Sequence, residues 1–105
     1  MRIDFRAEGG LGAFPGLTQP VTIHCDALPA DERARVRDLV RRADFFAMPA
    51  MAGRPATPDA RSYTIAIDDA GRSRTVTVRE PIADPALRDL VAALRESAMA
   101  VRRAR

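Results

Sequence analysis

The feature that most constrains this chain is a switch in hydrophobic period, from two residues to about 3.6, that occurs twice in 105 residues. Ile3, Phe5 and Ala7 alternate with Arg2, Asp4, Arg6 and Glu8. That is the pattern of a strand with one face buried. A second alternation sets Val21, Ile23 and Cys25 inward against Thr22, His24 and Asp26. The period then changes, and Val36, Leu39, Val40 and Ala43 fall at i, i+3, i+4 and i+7, one apolar helical stripe. Leu28-Pro29-Ala30-Asp31-Glu32 suits its start. Proline fits the first turn and the two acids complement the positive end of the helix dipole.

The second half repeats the switch. Tyr63, Ile65 and Ile67 alternate inward, Asp68-Asp69-Ala70-Gly71 turns, and Val76 and Val78 return. Gly71 supplies the positive φ that a tight hairpin needs. Asp84-Pro85 opens a second helix, whose stripe is Leu87, Leu90, Val91, Leu94 and Ala98. The last few residues, 101–105, are expected to fray. The order ββαββα predicts one α+β domain over residues 1–105, a four-stranded antiparallel sheet with two helices packed on one face.

Two segments have neither period. Residues 9–20 hold four of the six glycines, and residues 47–60 hold Pro49, Gly53, Pro55 and Pro58. Strand direction relates them. If the first hairpin turns at the top of the sheet, its second strand ends at the bottom. A helix of about 15 residues, roughly 22 Å long, carries the chain back up. Both irregular segments are then expected at one end of the molecule.

Composition limits what this fold can hold. Twenty residues are Ala, so only about thirty larger apolar side chains remain to build the core. A domain of this size buries roughly 60–70% of its unfolded surface, which argues against a deep substrate cavity. The single Cys excludes an internal disulfide. The N-terminus lacks the apolar stretch of a signal peptide and no run approaches a membrane span, so a reduced, cytoplasmic setting without membrane contact is expected.

Enzymatic chemistry is not expected. His24 and Cys25 are the only residues of their types. Side by side on a strand they point to opposite faces and cannot form a nucleophile–base dyad. One His and one Cys cannot fill a zinc site, the acids lack the spacing of a calcium loop, and no cofactor motif stands out. Gly10, Gly12 and Gly16 lack the Lys-Ser/Thr of a phosphate loop. All seventeen basic residues are Arg and the net charge is +3, which raises nucleic acid as a partner. Arg33, Arg37 and Arg41 share a helix face, but Asp31, Glu32 and Asp38 accompany them and no aromatic platform interleaves. A solvated face is the favoured reading. An Arg-rich nucleic-acid-binding or regulatory interaction module stands as the alternative function.

The two irregular segments are unusually apolar. Leu11, Phe14 and Leu17 in the first, and Met48 and Met51 in the second, are costly on a free surface. They either fold back as a lid on the sheet edge or meet a partner. Asp59 either caps the entry to the third strand or carries function.

Gly9-Gly10, the Leu28-Pro29 helix opening, the block Ala43-Asp44-Phe45-Phe46-Ala47-Met48-Pro49, and Asp59 four residues before Tyr63 resemble the emfourin family. So do the Arg-flanked Thr75-Val76-Thr77-Val78 strand and the Leu-rich terminal helix. The resemblance implies a bacterial protein inhibitor of a protealysin-like peptidase of the thermolysin family; the free protein is expected to be a monomer. It implies two neighbouring loops, one presenting a carboxylate to the peptidase's catalytic zinc, the other putting apolar side chains into its subsites. By that resemblance Gly9, Gly10, Leu11, Phe14 and Leu17 form the first contacting loop, and Met48, Met51 and Asp59 the second. Asp59, the only aspartate in either loop, is the candidate zinc ligand, with Glu8 as the fallback.

Overall fold

A computed structural model describes residues 1–8, 19–52 and 61–104 of the chain. Its strands are β1 (Arg2–Glu8), β2 (Val21–His24), β3 (Met51–Ala52), β4 (Ser62–Asp69) and β5 (Arg72–Arg79). Its helices are α1 (Ala30–Arg42) and α2 (Pro85–Arg103). The sheet order is β2-β1-β4-β5-β3. The first four strands pair antiparallel, as the ββαββα pattern requires, and β3 adds parallel to the edge of β5.

The alternation places one face of every long strand in the core. Ile3, Phe5, Ala7, Val21, Ile23, Tyr63, Ile65, Ile67, Val76 and Val78 are all buried. The helical stripes close on them: Val36, Leu39, Val40 and Ala43 from the α1 region, and Leu87, Leu90, Val91, Leu94 and Ala98 from α2. Helix α2 lies against β1 and β2, and α1 packs beside α2. The core is one continuous cluster, and every stripe residue expected from the sequence belongs to it. Leaving a Leu or Ile of this set exposed would forfeit roughly 1.5–3 kcal/mol each.

Helix ends follow local chemistry. Pro29 stands at the N-cap of α1, one place before the first helical residue. Asp84 caps α2, its Oδ1 accepting the Ala86 backbone N–H at 3.0 Å. Helix α2 continues through Arg103, where Ala104 donates its backbone N–H back to Ala100. After α1 the chain reverses through Asp44, whose φ of 52° is left-handed, into a 3-10 turn over Phe45–Ala47. That turn buries Phe45 and sets Phe46 edge-on to it, the ring centroids 5.9 Å apart.

Two elements differ from the sequence pattern. Strand β2 ends at His24, and Cys25 and Asp26, expected to continue its alternation, lie in a 3-10 turn over Cys25–Ala27. Strand β3 was not anticipated. Residues 47–60 read as irregular, yet Met51–Ala52 pair with Thr77 and Val78, and Thr77 donates its N–H to the Ala50 carbonyl at 2.8 Å. Two residues are too few to show alternation, so only the free edge of β5 specifies this strand. The hairpin between β4 and β5 is tighter than the expected Asp68–Gly71 turn. Both strands run to the Asp69↔Arg72 pair, leaving Ala70 and Gly71 as a two-residue connection with φ of 50° and 85°.

Candidate functional site

The strand registers define one end of the molecule. Glu8, the last residue of β1, stands opposite Ser62, the first of β4, and Ser62 stands opposite Arg79, the last of β5. Strand β2 begins at Val21, opposite Phe5 at the middle of β1, and runs from there away from the Glu8 end. Strand β3 runs parallel to β5, so Ala52, level with Val78, leads toward that end too. The described anchors of both irregular segments, 8 and 21 for the first and 52 and 61 for the second, therefore all face one way. The hairpin turn at Ala70-Gly71 marks the opposite end.

Six of the site residues expected from the sequence, Gly9, Gly10, Leu11, Phe14, Leu17 and Asp59, lie outside the described residues. The rest can be placed. Glu8 is exposed and forms an ion pair with Arg6 at 2.8 Å. Met48 is half-buried against the core, and its carbonyl accepts a hydrogen bond from the Arg74 guanidinium. Met51 is 48% exposed, the one large apolar side chain so open among the described residues.

Met48 and Met51 share one wall of an open groove with Pro49. Val78, Pro81, Ile82, Ala83 and Leu87 form the rest of its apolar lining, in a volume of about 600 Å³. Sequence reasoning had the two methionines but not their neighbours. Ile82 lies in the short link between β5 and α2, where a lone apolar residue carries no period. Its place beside Met48, Pro49 and Met51, about thirty residues away in sequence, emerges only from the fold.

A second feature at this end was likewise not visible in the pattern. Tyr63 is buried, its ring stacked on Phe5 with centroids 5.9 Å apart and planes inclined by 24°. Its hydroxyl donates to Glu80 Oε1 at 2.6 Å. Glu80 in turn donates its backbone N–H to the Arg61 carbonyl at 3.0 Å. Burial pushes the Tyr63 phenol above its ordinary pKa, reinforced by the hydrogen bond and negative charge of Glu80. The charge of Arg95 and a hydrogen bond from Arg61 oppose that shift.

Elsewhere the candidate chemistry resolves into ordinary structure. Cys25 is fully buried on a 3-10 turn and its thiol pKa is raised by that burial, while His24 is exposed. The Arg face of α1 is engaged by ion pairs and a hydrogen bond. Arg37 reaches Asp26 at 3.7 Å, Arg41 pairs with Asp38, and Arg33 reaches the Asp26 carbonyl at 3.4 Å. Among the described residues no group of three or more His, Cys, Asp or Glu could hold a metal ion. No described helix is long and apolar enough to cross a membrane.

A sheet backed by two helices, with the anchors of two long segments gathered at one end, defines a small α+β scaffold that presents loops. The family model described as Emfourin matches residues 5–95. The chain belongs to the emfourin family, a family of metallopeptidase inhibitors. No curated protein and no solved structure gives a match to it.

Proposed function

We propose that this protein inhibits a thermolysin-family, protealysin-like zinc metallopeptidase by laying residues 9–20 and 47–60 together across its active site. The observation that carries the reading is the convergence of the four loop anchors at the Glu8–Ser62–Arg79 end of the sheet. Two segments 26 residues or more apart in sequence can then engage one concave partner at once, which a single loop of either length cannot do.

The division of labour follows from residue chemistry. A catalytic zinc keeps one position open for water or substrate, and a carboxylate oxygen can occupy it at about 2.0–2.2 Å. Asp59 is the group assigned to that position, which excludes the water that would attack the peptide bond. Glu8 is the fallback carboxylate, already engaged with Arg6. Leu11, Phe14 and Leu17 fill substrate subsites, each worth roughly 1.5–3 kcal/mol on full burial. Met48 and Met51 border the contact, and methionine's flexible thioether adapts to an irregular surface.

The fold makes such contacts economical. Ordering a long loop at an interface costs entropy, and strands tied into a common sheet hold both ends of each loop in place beforehand. The protein is expected to act as a monomer against one peptidase molecule.

The test is inhibition by Asp59→Ala beside the parent protein, assayed on a panel of thermolysin-like peptidases. The parent protein is expected to inhibit stoichiometrically and the variant to lose potency by at least a hundredfold. Full potency in the variant would remove Asp59 from the zinc.

A further inference from the structure

Asp59 lies two residues before Arg61 and seven after Ala52. An extended chain spans at most about 3.6 Å per residue. Whatever path the chain takes, the Asp59 Cα therefore stays within about 7 Å of Arg61, while the tether to Ala52 permits about 25 Å. The anchor at Arg61 governs where the carboxylate can go.

The Arg61 side chain donates a hydrogen bond to the Tyr63 hydroxyl, and three further interactions hold that anchor. The Glu80 backbone N–H donates to the Arg61 carbonyl at 3.0 Å, extending the β4–β5 ladder one step past the Ser62↔Arg79 pair. The Tyr63 hydroxyl donates to Glu80 Oε1 at 2.6 Å. The Tyr63 ring is fixed from the other side by its stack on Phe5 in β1. Val78 is the direct register partner of Tyr63 and Glu80 lies two residues beyond it, so the phenol reaches a diagonal neighbour on the same face of the sheet. A hydrogen bond from a buried hydroxyl to a carboxylate belongs to the stronger class.

We propose that Tyr63 and Glu80 form a latch that positions the second loop for inhibition. The pair clamps the end of β5 onto the Arg61 carbonyl and so fixes the point from which Asp59 is presented. Neither residue needs to touch the peptidase. Both act through Arg61, as positioning residues. This inference rests on the reading given under Proposed function, and it makes a separate demand on the free protein.

Tyr63→Phe deletes the hydroxyl, and with it both the bond to Glu80 and the bond from Arg61, and keeps the ring against Phe5. Glu80→Gln keeps a side-chain oxygen that can accept the same bond. Ile67→Val, at the far end of β4, is a control that removes one buried methylene without touching the latch. The first readout is amide hydrogen exchange of the Glu80 N–H in the free protein, at matched global stability. Tyr63→Phe is expected to speed it on the order of tenfold, with Ile67→Val and Glu80→Gln close to the parent. The second is the inhibition constant, expected to weaken roughly tenfold in Tyr63→Phe and to stay within twofold in the other two.

Exchange at Glu80 that is unchanged in Tyr63→Phe would overturn the latch, whether or not the protein inhibits anything. Faster exchange with undiminished inhibition would overturn its role in positioning the loop. An equal loss of inhibition in Ile67→Val would show that stability alone was being read. A parent protein that inhibits no thermolysin-like enzyme would instead remove the proposed function and leave the exchange result to judge the latch.

Discussion

The two-residue turn between β4 and β5 offers a prediction whose sign is set by backbone geometry alone. Ala70 holds φ at 50° and Gly71 at 85°. A non-glycine L-residue in the left-handed region costs roughly 1–2 kcal/mol, and Asn is among the residues that relieve this by local hydrogen bonding. Ala70 is exposed, so replacing it disturbs no packing. Ala70→Asn creates the Asn-Gly pair that such turns favour and should stabilise the fold by about 1 kcal/mol. A Cβ built on Gly71 meets nothing within 4 Å, so Gly71→Ala has no steric clash to confuse the result. It places a second non-glycine residue at positive φ, and the strain outweighs the 0.4–1 kcal/mol or so gained from a stiffer unfolded chain. A net loss of about 1 kcal/mol is expected. For a domain of this size each kcal/mol moves Tm by roughly 4–8 °C. Thermal unfolding followed by circular dichroism should therefore separate the two variants by about 10 °C, in opposite directions from the parent. Shifts in the same direction, or both under a degree, would refute the reasoning. The turn lies an eight-residue strand, roughly 25 Å, from the Glu8–Ser62–Arg79 end. Neither variant should alter inhibition.

Two further expectations concern stability. Asp84→Ala removes the acceptor for the Ala86 N–H at the start of α2 and should cost about 1 kcal/mol, read by denaturant unfolding. The alkaline limb has a defined sign. The chain has no lysine, one Tyr and one Cys, so alkaline side-chain titration falls on Tyr63 and Cys25. Both have folded pKa values raised by burial, from ordinary values of 10.0 and 9.0. Their neutral forms are favoured in the folded state, so their contribution is fully present below the unfolded pKa values and is lost as pH rises through the folded ones. Tm should hold up to pH 9.0 and fall above it, with Cys25→Ser and Tyr63→Phe each flattening part of the decline. A Tm that stays level or rises over that range would contradict it.

Much of the fold was legible because its elements are long enough to display a period. The seven residues of β1 alternate throughout, β4 alternates from Ser62 to Ile67 and β5 from Thr75 to Arg79, and each helical stripe covers at least two turns. What was not legible is short or assembled from afar. Strand β3 has two residues and borrows its hydrogen bonds from β5. The positive φ of Ala70 was hidden because Gly71 alone looked sufficient for the turn. The groove beside Met48 and Met51 needs Ile82 and Leu87, which come from the link to α2 and from the helix itself. The Tyr63–Glu80 bond joins residues 17 apart, and nothing in the local pattern of either marks the other. The common end for the two irregular segments was readable, since strand direction and helix length determine it. The registers at Glu8, Ser62 and Arg79 agree with that reading of the anchors.

The most direct test of the central claim is an active-site titration of a thermolysin-family peptidase with the purified protein. At enzyme concentrations well above the inhibition constant, activity should fall linearly and reach its floor at one inhibitor per enzyme, with the break moved or lost in Asp59→Ala. Undiminished peptidase activity at a large molar excess, across the whole panel, would contradict the account.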